Sequence, residues 1–226
     1  MSLDQLLDGY QAFIEKGFAS NADRYRQLEA LGQSPRVMVI ACADSRVDPA
    51  TIFNAGPGEL FIIRNVANVV PRYAPDGRAH GVSAALEFAV KVLKVSDIVV
   101  MGHAQCGGVK ALLMDSADVE GIGEFVAPWM ESSHEILDRV MCHSAGHDVE
   151  TILGQMEEEN VRLGLANLMT FPWVAEPVHD GRVRLHGMHF GIAQGRLARL
   201  DPSTNTFVTV PRSGPAAGNG GGASLP

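Results

Sequence analysis

Cysteine is scarce in this chain: three in 226 residues, an odd number and far too few for a framework of disulfides. Free thiols in a reducing compartment are the expectation, and thiols in that state suit metal ligation. Uninterrupted apolar runs are short as well, none approaching the roughly 18 residues of a membrane span. The opening residues Met1-Ser2-Leu3-Asp4 have neither the basic start nor the apolar stretch of a signal peptide. A cytoplasmic protein with no membrane partner is therefore expected. Positive charge is in deficit, with a formal net charge of −8. That argues against nucleic acid as a partner, since holding phosphates needs a basic face.

The chain suits one domain, spanning residues 1–212, large enough to bury a core without covalent staples. A glycine-rich tail, 213–226, is expected to be disordered. Residues 1–31 read as a helical arm, with Leu3, Leu6, Leu7, Tyr10, Phe13 and Ile14 at helical spacing and Ser2 and Asn21 as N-caps of two successive helices. Three apolar runs read as strands: 37–41 ending at Cys42, 60–63, and 97–101 ending at Gly102-His103. Between the last two, 81–94 forms a helix with Val82, Ala85, Leu86, Ala89, Val90 and Leu93 on one face. A further helix begins at 109–114. Residues 124–168 read as mostly helical, with Glu157-Glu158-Glu159 as an exposed acidic stretch, and 183–190 and 196–200 as a strand pair. Unbroken apolar strands alternating with helices specify an α/β fold with a mainly parallel sheet of about four to five strands flanked by helices.

Parallel α/β sheets build their sites where strands emerge at their carboxyl ends. Cys42 and His103 both fall at such ends, and Cys106 follows one turn later. Two thiolates and one imidazole make a three-ligand set that leaves one zinc position free for chemistry. Each ligand alone has an ordinary reading, since Cys42 would serve equally as a buried strand cysteine. A redox pair of Cys42 and Cys106 lacks the Cys-x-x-Cys spacing. Asp44 and Arg46, two apart, form either an ion pair of purely structural use or a pair in which Arg46 holds Asp44 ionised and aimed at a metal-bound water. Gly107 and Gly108 open a helix whose amides would favour an anion. Arg64 and Asn65 read as an anion contact or a structural pair. His186 and His189, three apart in a strand, face opposite sides. Cys142, His143 and His147 cluster without a partner segment, and His80 and His134 carry no pattern.

Three segments, 41–47 (Ala-Cys-Ala-Asp-Ser-Arg-Val), 57–68 (Pro-Gly-Glu-Leu-Phe-Ile-Ile-Arg-Asn-Val-Ala-Asn) and 102–108 (Gly-His-Ala-Gln-Cys-Gly-Gly), resemble the β-class carbonic anhydrases. The resemblance runs from about Gln33 to Leu113 and more loosely to Phe190. It implies one zinc ion per subunit on Cys42, His103 and Cys106, and an Asp44–Arg46 catalytic dyad. It also implies a substrate pocket from Gln33, Phe61, Val66, Phe88 and the Gly107 amide. The implied activity is reversible hydration of carbon dioxide to bicarbonate and a proton, with zinc-bound hydroxide as nucleophile oriented by the dyad. The implied assembly is an obligate homodimer or a larger oligomer, the pocket being completed across the interface. Some members of the family trap bicarbonate with a tryptophan, an arginine and a tyrosine, which lets the aspartate close onto zinc. Here Val39 and Phe190 stand at two of those positions and leave only Arg64. That departure implies an open centre with the Asp44–Arg46 pair intact.

Overall fold

The computed structural model describes residues 1–113, 123–142, 144 and 146–212. The tail at 213–226, Met114 and His143 lie outside these residues. Six strands form one sheet in the order β2-β1-β3-β4-β5-β6: β1 (Val37–Cys42), β2 (Leu60–Asn65), β3 (Asp97–His103), β4 (Arg184–Gly191), β5 (Arg196–Asp201) and β6 (Thr206–Thr209). The first four are mutually parallel, while β5 and β6 fold back antiparallel. The α/β class and mainly parallel sheet expected from the apolar runs are present. The sixth strand is additional, because Thr206-Phe207-Val208-Thr209 is too short and polar to announce itself. Among the described residues, no helix is long and apolar enough to cross a membrane.

The amino-terminal arm consists of α1 (Leu3–Ala12) and α2 (Ala19–Leu31), joined through a π-helical turn at Phe13–Phe18. Ser2 caps α1 in a capping box with Gln5, as its position predicts. Asn21 caps nothing: the helix runs on through the π turn, so no free N-terminus exists there, and Asn21 Nδ2 donates to Gly17 O. No residue of α1 is buried, so the apolar stripe of Leu3, Leu6, Leu7 and Tyr10 stays uncovered within the chain.

Short α3 (Pro49–Ile52) follows β1, and α4 (Gly81–Glu87) continues as a π-helical segment to Leu93, where Lys94 turns left-handed (φ 57°). After β3 come α5 (Gly107–Ala111), α6 (Val126–Glu131), α7 (Glu135–Met141), α8 (Val149–Leu168) and α9 (Pro172–His179). Helix α8 lies along β3 and β4. Its approach is close because the strands carry glycine beneath it. A Cβ at Gly102 would come 2.8 Å from Val161 Cγ2, and one at Gly187 would come 3.0 Å from Val161 Cγ1. The acidic stretch expected to be exposed divides accordingly. Glu157 points inward and is 3% exposed, because it shares the buried stripe of Leu153, Met156, Asn160, Val161 and Gly164.

The opposite sheet face carries a smaller buried cluster. Val39, Ala41, Val99 and Met101 are packed there with Ile52, Phe53 and their sheet neighbours. A groove of about 310 Å³ opens beside them, lined by Val37, Val39, Phe53, Leu60, Val99 and Met188 with Asp97, His186 and Arg199.

Candidate metal centre

Strands β1 and β3 are neighbours, so their carboxyl ends deliver Cys42 and His103 side by side. Both strands run further than the apolar runs suggest, taking these two residues into the ladder itself. The chain then reverses at Gln105, a non-glycine residue at φ 56°, and returns Cys106 to the same place. The sulfur and nitrogen ligand atoms of Cys42, His103 and Cys106 lie within 4.8 Å of one another, and all three residues are buried. No other group of three His, Cys, Asp or Glu residues converges in this way among the described residues.

The donor set fits zinc. Two Zn–S bonds of about 2.3 Å at a tetrahedral angle span about 3.8 Å. The two sulfurs here are 4.0 Å apart. His103 Nδ1 lies 2.9 Å from the Ala104 carbonyl oxygen, which fixes it as the protonated nitrogen and leaves Nε2 as the lone-pair donor. That Nε2 is buried and has no hydrogen-bond partner, an orphaned acceptor that a metal ion would satisfy. The contact with Cys106 and the nearby His103 pull the Cys42 thiol down, against the opposing effect of burial. The contact with Cys42 and burial push Cys106 up.

Asp44 sits at the rim, its Oδ2 4.0 Å from His103 Nε2. Arg46 donates from Nε to Asp44 Oδ1 (2.9 Å) and from Nη2 to Oδ2 (2.7 Å), and its backbone N–H reaches Oδ1 as well (2.9 Å). These bonds hold the Asp44 carboxyl well below the usual carboxylate range, against a smaller effect of burial. Arg46 Nη2 also donates to the Gln105 carbonyl (3.1 Å), tying the pair to the reversal that positions Cys106.

Arg64 makes structural bonds. Its Nε and Nη2 donate to the carbonyls of Cys42 (2.9 Å) and Asp44 (2.6 Å), stitching β2 to the ligand loop. Asn65 bonds both the N–H and the C=O of Val69, closing the turn that holds Val66. Val39 is buried in the cluster on the opposite sheet face, and Phe190 packs beside the Cys42–Cys106 core. His186 bonds Asp97 on one side of β4 and His189 bonds Glu157 on the other, as their spacing predicts.

The pocket residues implied by resemblance divide into two groups. Val66 lies against the start of α5, its Cγ1 2.9 Å from where a Cβ on Gly108 would stand, and Gly107 opens that helix beside Cys106. Phe61 and Phe88 stack with ring centroids 5.9 Å apart at the other end of the sheet. Phe61 pairs with Met38, four residues before Cys42, roughly 13 Å away along an extended strand. Gln33 precedes β1 and is exposed. Phe61 and Phe88 of one chain therefore stand away from its own Cys42–His103–Cys106 group. Two roles are not announced by the motifs: that of the Gln105 carbonyl as an acceptor, and that of Glu157, outside every motif, as the acceptor of the Cys106 N–H at 2.9 Å. The spacing of Glu157 with Leu153, Asn160, Val161 and Gly164 is the signal that would have found it.

Fold and site together define an α/β protein with a buried group of two cysteines and a histidine at adjacent strand ends that could hold a metal ion. The carbonic anhydrase family profile matches residues 37–197. The carbonic anhydrase of Pseudomonas aeruginosa is 38% identical over 206 residues, covering 91% of this chain and 90% of that one. Carbonic anhydrase 1 of Escherichia coli is 36% identical over 210 residues, covering 92% of each. Among solved structures, the β-carbonic anhydrase CcaA superposes with a TM-score of 0.84 at 33% identity, covering 92% of this chain and 99% of that one. The chain belongs to the β-carbonic anhydrase family.

Proposed function

We propose that the protein catalyses reversible hydration of carbon dioxide to bicarbonate and a proton, with one zinc ion per chain held by Cys42, His103 and Cys106. The observation that carries this reading is the buried, unpartnered His103 Nε2, which faces two thiols and lies 4.0 Å from an arginine-clamped carboxylate. Zinc bound there would act as a Lewis acid that makes water acidic enough to supply a nucleophile near neutrality.

The chain's own residues would then orient the reactants. Asp44, kept ionised by Arg46, has only acceptor atoms. It takes the hydrogen bond of the attacking water at Oδ2, which turns that oxygen's lone pair toward carbon. In the reverse direction it selects the hydroxyl of bicarbonate over its bare oxygens. The bidentate grip of Arg46 stops Asp44 rotating away. Val66 supplies an apolar wall for carbon dioxide, and the Gly107 N–H is the anion contact for the product.

The same reading makes the protein a homodimer or a larger assembly, in which Gln33, Phe61 and Phe88 of one protomer complete the pocket of the other. Three features support it: the uncovered stripe on α1, the apolar groove beside the opposite sheet face, and the separation of Phe61 and Phe88 from the Cys42 end of their own sheet. Structural neighbours at 29% identity from Sordaria macrospora (TM-score 0.76, covering 87% of this chain and 95% of that one) are tetrameric β-carbonic anhydrases. Ligand thiols that must stay reduced support the cytoplasm as the compartment. Stopped-flow hydration of carbon dioxide by zinc-loaded protein tests the proposal. Inactivity of a fully loaded, assembled sample would contradict it.

A further inference from the structure

Glu157 is a buried carboxylate that the mechanism above does not use. It stands on α8, 3% exposed, and both of its oxygens are engaged. Oε1 accepts the backbone N–H of Cys106 at 2.9 Å, and Oε2 lies 3.2 Å from His189 Nε2 on β4. Cys106 is the N-cap of α5, and its side chain makes no capping bond. Its N–H has no partner within that helix, and the residue is 1% exposed, so water does not reach it. The partner comes instead from another helix, fifty-one positions along the chain. His189 in turn lies edge-on to Phe207 with ring centroids 6.3 Å apart. One turn further along α8, Asn160 Nδ2 donates to the carbonyl of Ala67 (2.7 Å), within the turn that carries Val66. The close approach of α8 over Gly102 and Gly187 brings this polar face to the back of the ligand loop.

We propose that Glu157, clamped by His189, is a positioning residue for the metal centre: by accepting the Cys106 N–H it sets the direction of the Cys106 sulfur before the metal binds. The inference rests on the zinc reading above. What the role requires is an acceptor oxygen at this place. Glutamine would retain that oxygen for Cys106, and its amide would donate to His189 in the other tautomer. Leucine, of similar size, would leave the Cys106 N–H buried without a partner.

The test measures zinc release to a chelator from the full-length protein, together with the thiolate-to-cobalt charge-transfer band of the cobalt-substituted form. Glu157→Leu is expected to release zinc about 10- to 100-fold faster, the usual effect of losing an outer-shell contact to a ligand, and to shift the cobalt band. Glu157→Gln is expected to stay within about threefold of the parent. Parental release and an unshifted band in Glu157→Leu would overturn the inference, since a residue that serves folding alone would leave both readouts unchanged. Equal loss in both variants would overturn it as well. Where Glu157→Leu does not fold, amide exchange decides: a Cys106 N–H protected in both the parent and Glu157→Gln supports the role, and an unprotected one in the parent overturns it. A parent that binds no zinc would instead remove the functional reading itself.

Discussion

Arg46 grips Asp44 from three directions, with two guanidinium nitrogens and its own backbone N–H. Asp44 is thereby fixed beside His103, its Oδ2 4.0 Å from His103 Nε2. Two variants separate the parts of this arrangement. Asp44→Asn keeps the shape but loses the charge and places a donor where only acceptors stood. Its kcat/KM for hydration is expected to fall about 100-fold or more, within the range of acid–base groups. Arg46→Lys keeps the charge but loses the planar fork. A fall of about 10- to 100-fold is expected, with zinc content unchanged in both. Stopped-flow hydration paired with metal analysis checks this.

The pH profile of activity follows from the ligand set. Thiolates donate more charge to a metal than imidazoles do, so zinc held by Cys42, His103 and Cys106 would acidify water less strongly than an all-histidine zinc, where the value is about 7. Asp44 is ionised throughout this range and contributes no limb of its own. Hydration is therefore expected to climb as pH rises above about 7. Rates measured across mildly acidic to mildly basic buffers at constant ionic strength check it, and a flat profile is the contrary outcome.

The amino-terminal arm gives a test of assembly. Leu6 and Tyr10 are exposed on a helix that buries nothing in its own chain. The double variant Leu6→Glu/Tyr10→Glu is expected to shift sedimentation toward monomer. Hydration should fall with it, because Phe61, Phe88 and Gln33 would no longer meet a metal centre. The individual chain should still bind zinc.

Asp97 knits β3 to β4 at the far end of the sheet, bonded by Arg184, His186 and Ser96. Burial opposes its ionisation, but these partners together hold it below the usual carboxylate range. Its folded pKa lies under the unfolded value of about 4, so its stabilisation is complete above that value and lost as pH falls through the folded one. Asp97→Asn is expected to melt at a lower temperature than the parent at pH 7, and the gap should narrow under acid. Thermal scans from neutral pH downward check this.

Much of the site is legible in the sequence because its ligands follow apolar runs. A run such as Val37-Met38-Val39-Ile40-Ala41 declares a buried parallel strand, and residues after such strands share one end of the sheet. What stays hidden depends on tertiary distance. Glu157 reads as one of three like charges until α8 settles on Gly102 and its stripe turns inward. Asn21 reads as a cap because a π turn is invisible to helical periodicity. Strand β6 is held by pairing with β5 rather than by an apolar run of its own. The placement of Phe61 and Phe88 away from Cys42 follows from register, which a single chain's residue pattern does not state.

The most direct test of the central claim is carbon dioxide hydration by the parent and Asp44→Asn at matched, measured zinc occupancy. The account predicts one zinc per chain in both, rapid hydration by the parent that is lost on chelation and restored by zinc, and a rate at least about 100-fold lower in the variant. Equal rates at equal zinc, or parental activity that survives complete removal of the metal, would contradict it.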